Sequence, residues 1–316
     1  MRTVVVLGAG AVGSLFGARL AAAGNAVLLV GRPAHVRAIR EGGLTVEGLD
    51  PGTFHLSAAT ELAPGTPADA VLVTVKSFDL AVAASTLARA IPPTATALLG
   101  NGLGIEVGAA RALHEGGWKE PEASVVRAVH TVPATLLGPG RVRASGTGEV
   151  VFPSPESAGR AGAAVRTLVE TFVGAGFRVR TTPTIELELW RKAAVNAAIN
   201  PVTALRRVPN GALRDGPARQ EAQLLLAEAV DVARAAGVDL SLETAVTDLD
   251  RVLAATAENR SSMLQDVERG RPTELDAISG EILRRGRAHG LKLPATELAV
   301  ERLRPPAPGP TRSAQR

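Results

Sequence analysis

The chain contains no cysteine and no tyrosine, and only two of its 316 residues are tryptophan. Without cysteine there is no disulfide, no thiol nucleophile and no cysteine-ligated zinc site, and we expect no metal. Without tyrosine, a reaction that needs a proton donor must take the proton from another side chain. The length indicates about two domains, and a hydrophobic fraction of 46% is ordinary for a globular protein.

Long hydrophobic runs and a concentrated charge are also missing. No stretch approaches the ~20 consecutive apolar residues of a membrane span, and glycine interrupts the apolar run of the N-terminus, MRTVVVLGAG, unlike a signal peptide. Three arginines in residues 304–316 supply +3 of the formal net charge of +4, which leaves +1 for residues 1–303. Residues 1–303 therefore lack the strong positive charge of a nucleic-acid-binding protein. We therefore expect a cytoplasmic protein with no membrane or nucleic-acid partner, and a proline-rich, disordered tail at 304–316.

Apolar runs alternate with helical segments through the first half of the chain. The runs TVVVL, AVLLV and DAVLVTV lack polar alternation, which is typical of strands buried on both faces of a parallel sheet. Short extended pieces within 123–153 are separated by glycine and proline and predict antiparallel additions. After residue 183 strand signals almost vanish.

This pattern predicts an α/β fold. A Rossmann-type doubly wound sheet is expected over residues 1–182, followed by an all-helical C-terminal domain over 183–303. The apolar faces of the predicted helices could pack on a second copy, so a monomer and a homodimer both remain open.

A glycine-rich turn follows the first predicted strand. It consists of Gly8, Ala9, Gly10, Ala11, Val12 and Gly13. In a G-x-G-x-x-G motif, the first glycine forms the tight turn and the second lets the backbone approach a pyrophosphate. The third lets the following helix pack closely on the strand. The motif therefore predicts a dinucleotide cofactor.

The end of the second strand distinguishes the two common dinucleotides. Sites for NAD place an acidic residue there, whereas this chain has Gly31 and Arg32 and no acidic residue from 25 to 40. Because a guanidinium binds a phosphate bidentately, we predict NADP(H) with Arg32 on the 2′-phosphate. Arg37 and Arg40 are weaker candidates for the same phosphate.

Polar residues interrupt an otherwise apolar helical segment in the second half. Lys192, Asn196 and Asn200 recur every four residues, which places them on one face of a helix. Burying an amide or an ammonium without a partner is costly, so the stripe faces solvent, a polar network or a ligand. Lysine is rare, with four in the chain, and lysine, unlike arginine, can give up its proton.

Further polar residues are candidates for a site. Asn259, Ser262 and Asp266 have the spacing of one helix face. Glu274 is expected in the first turn of the next helix, where it is either a capping acid or a site carboxylate. Asn101 lies just past the strand ATALL, after Gly100, either at the sheet edge where open parallel sheets bind ligands or in a plain Asn-Gly turn.

Several segments together resemble the ketopantoate reductase family. They are GAGAVG at 8–13, VKSFDL at 75–80, NGLG at 101–104, WRKAAVNAAINPVTAL at 190–205 and SSMLQDVERGRPTELDAISGEILRRGRAHGLKLP at 261–294. The resemblance implies NADPH-dependent reduction of 2-dehydropantoate (ketopantoate) to pantoate, in pantothenate and coenzyme A biosynthesis. Gly100 and Thr296 depart from the glutamine and asparagine common in the family, which leaves the exact 2-oxo acid open.

The resemblance also implies roles for individual residues. Lys192 becomes the general acid, and Glu274 becomes the carboxylate of the site. The implied substrate contacts are Asn101, Asn196, Asn200, Asn210, Asn259 and Ser262, and the implied cofactor contacts are residues 8–13, Arg32, Lys76 and Asn101. Two alternatives remain, a reductase of a different 2-oxo acid on the same scaffold and a regulator that binds NADP(H) without turnover.

Overall fold

The computed structural model describes residues 1–304, so the predicted disordered tail lies, from residue 305 onward, outside the described residues. The chain forms two compact units, Met1–Leu189 and a second unit that begins at Trp190. None of the helices in residues 1–304 is both long enough and apolar enough to cross a bilayer.

The first unit combines strands and helices, whereas the described part of the second unit is helical. The strands are β1 (Thr3–Leu7), β2 (Ala26–Val30), β3 (Leu44–Gly48), β4 (Gly52–Phe54), β5 (Ser57–Ala59), β6 (Ala70–Val73), β7 (Thr96–Leu98), β8 (Val125–Arg127), β9 (Val129–His130), β10 (Ala134–Gly138), β11 (Arg141–Ala144), β12 (Glu149–Pro153) and β13 (Arg178–Thr182). The helices are α1 (Ala11–Ala22), α2 (Pro33–Gly42), α3 (Leu80–Ala90), α4 (Ile105–Glu115), α5 (Gly162–Gly174), α6 (Ile185–Arg206), α7 (Gly216–Ala235), α8 (Leu242–Ala255), α9 (Ser262–Glu268), α10 (Glu281–Ala288) and α11 (Pro294–Leu303).

A six-stranded parallel sheet organises the first unit, with the strand order β5-β2-β1-β6-β7-β8. The side chains of the central strand β1 alternate between two cores. Val4 and Val6 belong to a core that includes Phe16 of α1. Val5 and Leu7 belong to a second core, which α3 and α4 cover. Because both faces of the sheet are covered, the predicted doubly wound arrangement is confirmed.

Two smaller sheets complete the first unit, with the strand orders β10-β11-β3-β4 and β13-β12-β9. Within the region predicted to add antiparallel strands, β10 pairs antiparallel with β11 and β9 pairs antiparallel with β12. However, β8 pairs in parallel with β7, and β11 pairs in parallel with β3. The prediction is therefore right only in part. β8 follows helix α4, and a helical crossover delivers a strand parallel to its neighbour.

Helix α6 spans 22 residues and contains Pro201 in its interior. Proline has no N–H to donate, so the carbonyl one turn earlier loses its helical partner. Thr203 Oγ1 lies 2.9 Å from the carbonyl oxygen of Ile199 and 3.0 Å from that of Asn200. The hydroxyl therefore contacts the carbonyl groups of the two residues directly before the proline, and the helix continues through it.

A buried carboxylate joins α6 to α8. Asp248 accepts hydrogen bonds from Nε and Nη2 of Arg191 at 2.6 and 2.8 Å, and from Nη2 of Arg251 at 2.7 Å. Its side chain is only 6% exposed. We expect Asp248→Ala to lower the free energy of unfolding by about 3 kcal/mol, because it removes the buried carboxylate to which Arg191 and Arg251 donate. Chemical denaturation measures this change.

A matched control lies in the same unit. Glu297 pairs with Arg287 at 3.1 Å, and the two side chains are 50% and 68% exposed. Exposed ion pairs contribute little, so Glu297→Ala should change the free energy of unfolding by less than about 1 kcal/mol. Equal losses for the two variants would contradict the distinction.

Candidate functional site

The glycine-rich turn between β1 and α1 is anchored to both neighbouring strands. The amide N–H groups of Gly8 and Ala9 donate to the carbonyl oxygen of Val30, at the end of β2, at 3.0 and 2.9 Å. Thr74, directly after β6, donates its hydroxyl to the carbonyl oxygen of Gly8 at 2.8 Å. Gly8 has a φ of +112°, a conformation that glycine adopts without strain. The turn therefore has a fixed shape at the carboxyl edge of the sheet.

The other two glycines of the motif have contrasting surroundings. A Cβ atom on Gly13 would lie 2.3 Å from the carbonyl oxygen of Gly8 and 2.4 Å from Thr74 Oγ1, so close packing requires glycine there. A Cβ atom on Gly10 would meet no protein atom within 4 Å. Gly10 is the N-cap of α1, and the first turn of α1 has neither an acidic residue nor a side-chain cap. This helix end therefore fits a pyrophosphate, which backbone N–H groups and the helix dipole favour.

Arg32 begins the next helix along the sheet. It is the N-cap of α2, whose first turn also lacks an acidic residue and a side-chain cap. Its side chain is exposed and forms no hydrogen bond or ion pair with residues 1–304. By contrast, Nε of Arg40 donates to the carbonyl oxygen of Ala58 at 2.8 Å. Arg32 is thus the more available of these two guanidinium groups for a phosphate.

Lys76 and Asn101 lie beyond the neighbouring strands β6 and β7, and both are half-buried. The glycine-rich turn follows β1, and Arg32 follows β2. All four predicted cofactor positions therefore come after the carboxyl ends of four adjacent parallel strands, in the order β2-β1-β6-β7. Open parallel sheets bind ligands at this edge.

Sequence reasoning missed Arg127, at the end of β8. Its side chain is 9% exposed. The guanidinium donates to the carbonyl oxygens of Leu98 and Gly102, both at 2.9 Å, and lies 3.6 Å from the carboxylate of Glu106. Arg127 thereby binds one backbone carbonyl before Asn101, at the end of β7, and one after it, in the loop between β7 and α4. The available signal was a charged residue at the end of the short apolar strand VVR.

In the second unit, α6 carries the predicted polar stripe. The helix is continuous through Lys192, Asn196 and Asn200, so the three residues share one face as predicted. Lys192 and Asn196 are half-buried, and Asn200 is buried. The stripe therefore lies at the margin of the apolar core rather than on an open surface.

Asn210 and Asn259 are brought together by the backbone. The amide N–H of Asn210 donates to the carbonyl oxygen of Asn259 at 2.9 Å. The side-chain amide of Asn210 donates to Thr256 Oγ1, also at 2.9 Å. Its Oδ1 atom is buried and has no hydrogen-bond partner in the described part of the chain. Asn210 thus links the segment after α6 to the end of α8.

The prediction that Asn259 shares a helix face with Ser262 and Asp266 is wrong. Helix α9 begins at Ser262, and Asn259 lies in the preceding turn, where its carbonyl is used by Asn210. Ser261 caps α9 by accepting from the amide of Leu264 at 3.1 Å. Ser262 is exposed, whereas Asp266 is buried.

The start of α9 is attached to α6 through a pair of buried hydroxyl groups. Ser261 Oγ lies 2.7 Å from Thr203 Oγ1. Thr203 is also the residue that contacts the carbonyl of Asn200. The structure therefore brings the turn of α6 that holds Asn200 next to the segment that holds Ser262.

Glu274 is 5% exposed and directly precedes the first helical residue, Leu275. The hydroxyl of Thr273 accepts from the amide of Leu275 at 3.4 Å. The helix then starts with a π-helical turn, Asp276–Gly280, instead of the expected regular α-helical turn. Such wide turns are rare and are often found at functional sites.

Comparisons with known proteins agree with this architecture. Residues 4–157 match the family model described as ketopantoate reductase PanE/ApbA, and residues 184–306 match the model of its C-terminal part. A 2-dehydropantoate 2-reductase of Archaeoglobus fulgidus is 34% identical over 292 residues, which cover 92% of this chain and 93% of that protein. The corresponding protein of Halobacterium salinarum is 36% identical over 306 residues, covering 95% and 97%.

Solved structures share the fold over nearly the whole chain. A PanE/ApbA family ketopantoate reductase from Ralstonia eutropha has a TM-score of 0.82 at 33% identity and covers 95% of this chain and 96% of its own. A D-mandelate dehydrogenase in complex with NADH and anilino(oxo)acetate has a TM-score of 0.87 at 25% identity, with 95% and 96% coverage. The prediction of a Rossmann-type oxidoreductase is confirmed, and the chain belongs to the ketopantoate reductase family.

Proposed function

We propose that the protein reduces ketopantoate to pantoate with NADPH, as a cytoplasmic enzyme of pantothenate and coenzyme A biosynthesis. The observation that carries this proposal is the match, along more than nine-tenths of the chain, to relatives named 2-dehydropantoate 2-reductase. Two sets of candidate site residues, one in each unit, support it. The first unit holds a glycine-rich turn suited to a pyrophosphate, and the second holds Lys192 and Glu274.

The second unit supplies the proton chemistry in this proposal. NADPH, when bound, supplies the hydride that reduces the ketone carbon. The ammonium group of Lys192 stabilises the negative charge that develops on the ketone oxygen and donates the proton that completes the hydroxyl group. Glu274 provides a carboxylate for the site. The residues proposed to bind the substrate are Asn101, Asn196, Asn200, Asn210, Asn259 and Ser262.

NADPH is proposed over NADH because of the surroundings of Arg32. The guanidinium is exposed and forms no hydrogen bond with the described residues, and it lies at the N-terminus of α2 without a nearby acidic residue in that turn. A phosphate gains from both the guanidinium and the helix dipole. The acidic residue that would bind the free 2′-hydroxyl of NADH is missing from 25 to 40.

Substitutions at two glycines of the motif should separate cofactor binding from folding. Gly10→Ala adds a methyl group to open space, so we expect stability to change by less than about 1 kcal/mol. The same methyl group blocks the approach of a pyrophosphate, and the Kd for NADPH should rise by about tenfold or more. Gly13→Ala places a methyl group against the carbonyl oxygen of Gly8 and the hydroxyl of Thr74. This overpacking should lower the free energy of unfolding by at least about 1–3 kcal/mol. Isothermal titration calorimetry and thermal unfolding measure the two quantities, and equal effects of both variants on stability would contradict the assignment.

The function is tested by following NADPH oxidation by the purified protein. We expect kcat/KM to be highest for ketopantoate among a set of 2-oxo acids. The D-mandelate dehydrogenase likeness favours one second candidate, a reductase of an aromatic 2-oxo acid. Phenylglyoxylate, the oxo acid that corresponds to mandelate, is therefore included, and a higher kcat/KM for it would replace the proposed substrate. Binding of NADPH without turnover of any 2-oxo acid would instead indicate a regulator.

A further inference from the structure

His35 lies in the first turn of α2, three residues after Arg32, and is 5% exposed. Both of its ring nitrogens have hydrogen-bond partners. Nδ1 accepts from the amide N–H of Gly140 at 2.9 Å, and Nε2 lies 2.9 Å from Oγ of the fully buried Ser14. Because a backbone N–H only donates, Nδ1 carries no proton. In the neutral ring the proton is therefore on Nε2, which donates to Ser14.

The surroundings of the ring favour this neutral form. Burial lowers the pKa of His35, because removing the imidazolium from water is unfavourable. A proton on Nδ1 would also point at the N–H of Gly140 and break that hydrogen bond. The ring therefore acts as a fixed two-ended connector at neutral pH.

The connector joins three elements, and the N-termini of two of them carry predicted cofactor positions. Ser14 directly follows Gly13, in the first turns of α1. Gly140 lies in the turn between β10 and β11. The Ser14–His35 hydrogen bond thus ties α1, whose N-terminus fits a pyrophosphate, to α2, whose N-terminus carries Arg32.

We propose that His35 and Ser14 are positioning residues that set the distance between these two helix N-termini. The inference rests on the proposed use of NADPH. A dinucleotide that carries a 2′-phosphate has to satisfy both phosphate positions at once, so its affinity depends on their separation. NADH has a hydroxyl group in place of this phosphate, so its affinity depends less on where α2 begins. The hydrogen bond therefore contributes to the preference for NADPH over NADH.

Three single variants interrupt different ends of the connector. Ser14→Ala removes the bond to α1. His35→Asn places an oxygen near the position of Nδ1, where it can accept from Gly140, but does not reach Ser14. His35→Gln places an amide near the position of Nε2, where it can donate to Ser14, but loses the bond to Gly140.

The Kd values for NADPH and NADH are measured by calorimetry for each variant, together with the midpoint of thermal unfolding without cofactor. We expect Ser14→Ala and His35→Asn to raise the Kd for NADPH by about fivefold, the value of one hydrogen bond, with the Kd for NADH within about twofold. His35→Gln should retain most of the NADPH affinity. The double variant Ser14→Ala, His35→Asn should bind NADPH no more weakly than either single variant, because both remove the same bond.

Parallel losses of NADPH and NADH affinity that follow the unfolding midpoint would show that the connector only supports the fold, and would overturn the inference. So would an unchanged NADPH preference in Ser14→Ala. If the unaltered protein binds NADPH no more tightly than NADH, the proposed cofactor choice fails, and the inference fails with it. These outcomes are distinguishable, because the last one appears in the unaltered protein.

Discussion

Replacing Lys192 with alanine should lower kcat for 2-oxo acid reduction by about 10²-fold or more. The expected loss is large because the alkoxide then receives its proton from water, without an ammonium group to stabilise the developing charge. Lys192→Gln should give a similar loss, since an amide can donate a hydrogen bond but not a proton. The Kd for NADPH should stay unchanged in both variants, because the proposed cofactor contacts lie in the first unit.

Steady-state kinetics with ketopantoate and calorimetry with NADPH provide the two measurements. Lys292→Ala is a matched control, because Lys292 is an exposed lysine in the same unit and lies outside the proposed site. Its kcat should equal that of the unaltered protein. A near-normal kcat in Lys192→Ala would remove this residue from the role of general acid, and a large rise in the Kd for NADPH would reassign it to cofactor binding.

The main sheet was predictable because its strands carry a local signature. A strand buried on both faces needs apolar side chains at every position, as in TVVVL, and this pattern is visible without knowledge of the partner strands. The pairing of the short strands was not predictable. β8 has three residues, and its parallel pairing with β7 depends on where α4 delivers it rather than on its own sequence. Tertiary context sets such pairings.

The candidate site likewise has features that the sequence predicts and features that it does not. The glycine motif and the polar stripe on α6 are local patterns with fixed spacing, and both appear in the structure where the sequence placed them. The contacts of Arg127 with Leu98 and of His35 with Gly140 join residues that are 29 and 105 positions apart. No periodicity relates such residues, so these contacts become visible only when the chain is folded.

The π-helical turn after Glu274 was also hidden from the sequence. Its residues, Asp276–Gly280, have the sequence DAISG, in which no motif marks a wider turn. The wider turn displaces the side chains that follow it by one position relative to a regular helix. A face assigned from 3.6-residue periodicity is therefore misplaced beyond this point, although Glu274 itself precedes the turn.

Arg32→Ala should raise the Kd for NADPH by roughly 10- to 100-fold, because it removes charge-assisted hydrogen bonds to the 2′-phosphate. The Kd for NADH should change by less than about twofold, since NADH has no phosphate at that position and exposed substitutions are otherwise mild. Arg89→Ala is the control for removing an exposed guanidinium from the same unit. Arg89 lies on α3, and within residues 1–304 its side chain donates only to Ser85, its neighbour one turn earlier.

A negative charge at position 32 gives a sharper test of the cofactor preference. Arg32→Asp would repel the 2′-phosphate and offer an acceptor to a free 2′-hydroxyl, so it should reverse the preference and favour NADH. The ratio of the two Kd values, measured by calorimetry at fixed salt, isolates this effect from any change in the pyrophosphate site. If Arg32→Ala and Arg32→Asp leave the ratio unchanged, another residue binds the 2′-phosphate, and Arg37 is the next candidate on the same helix.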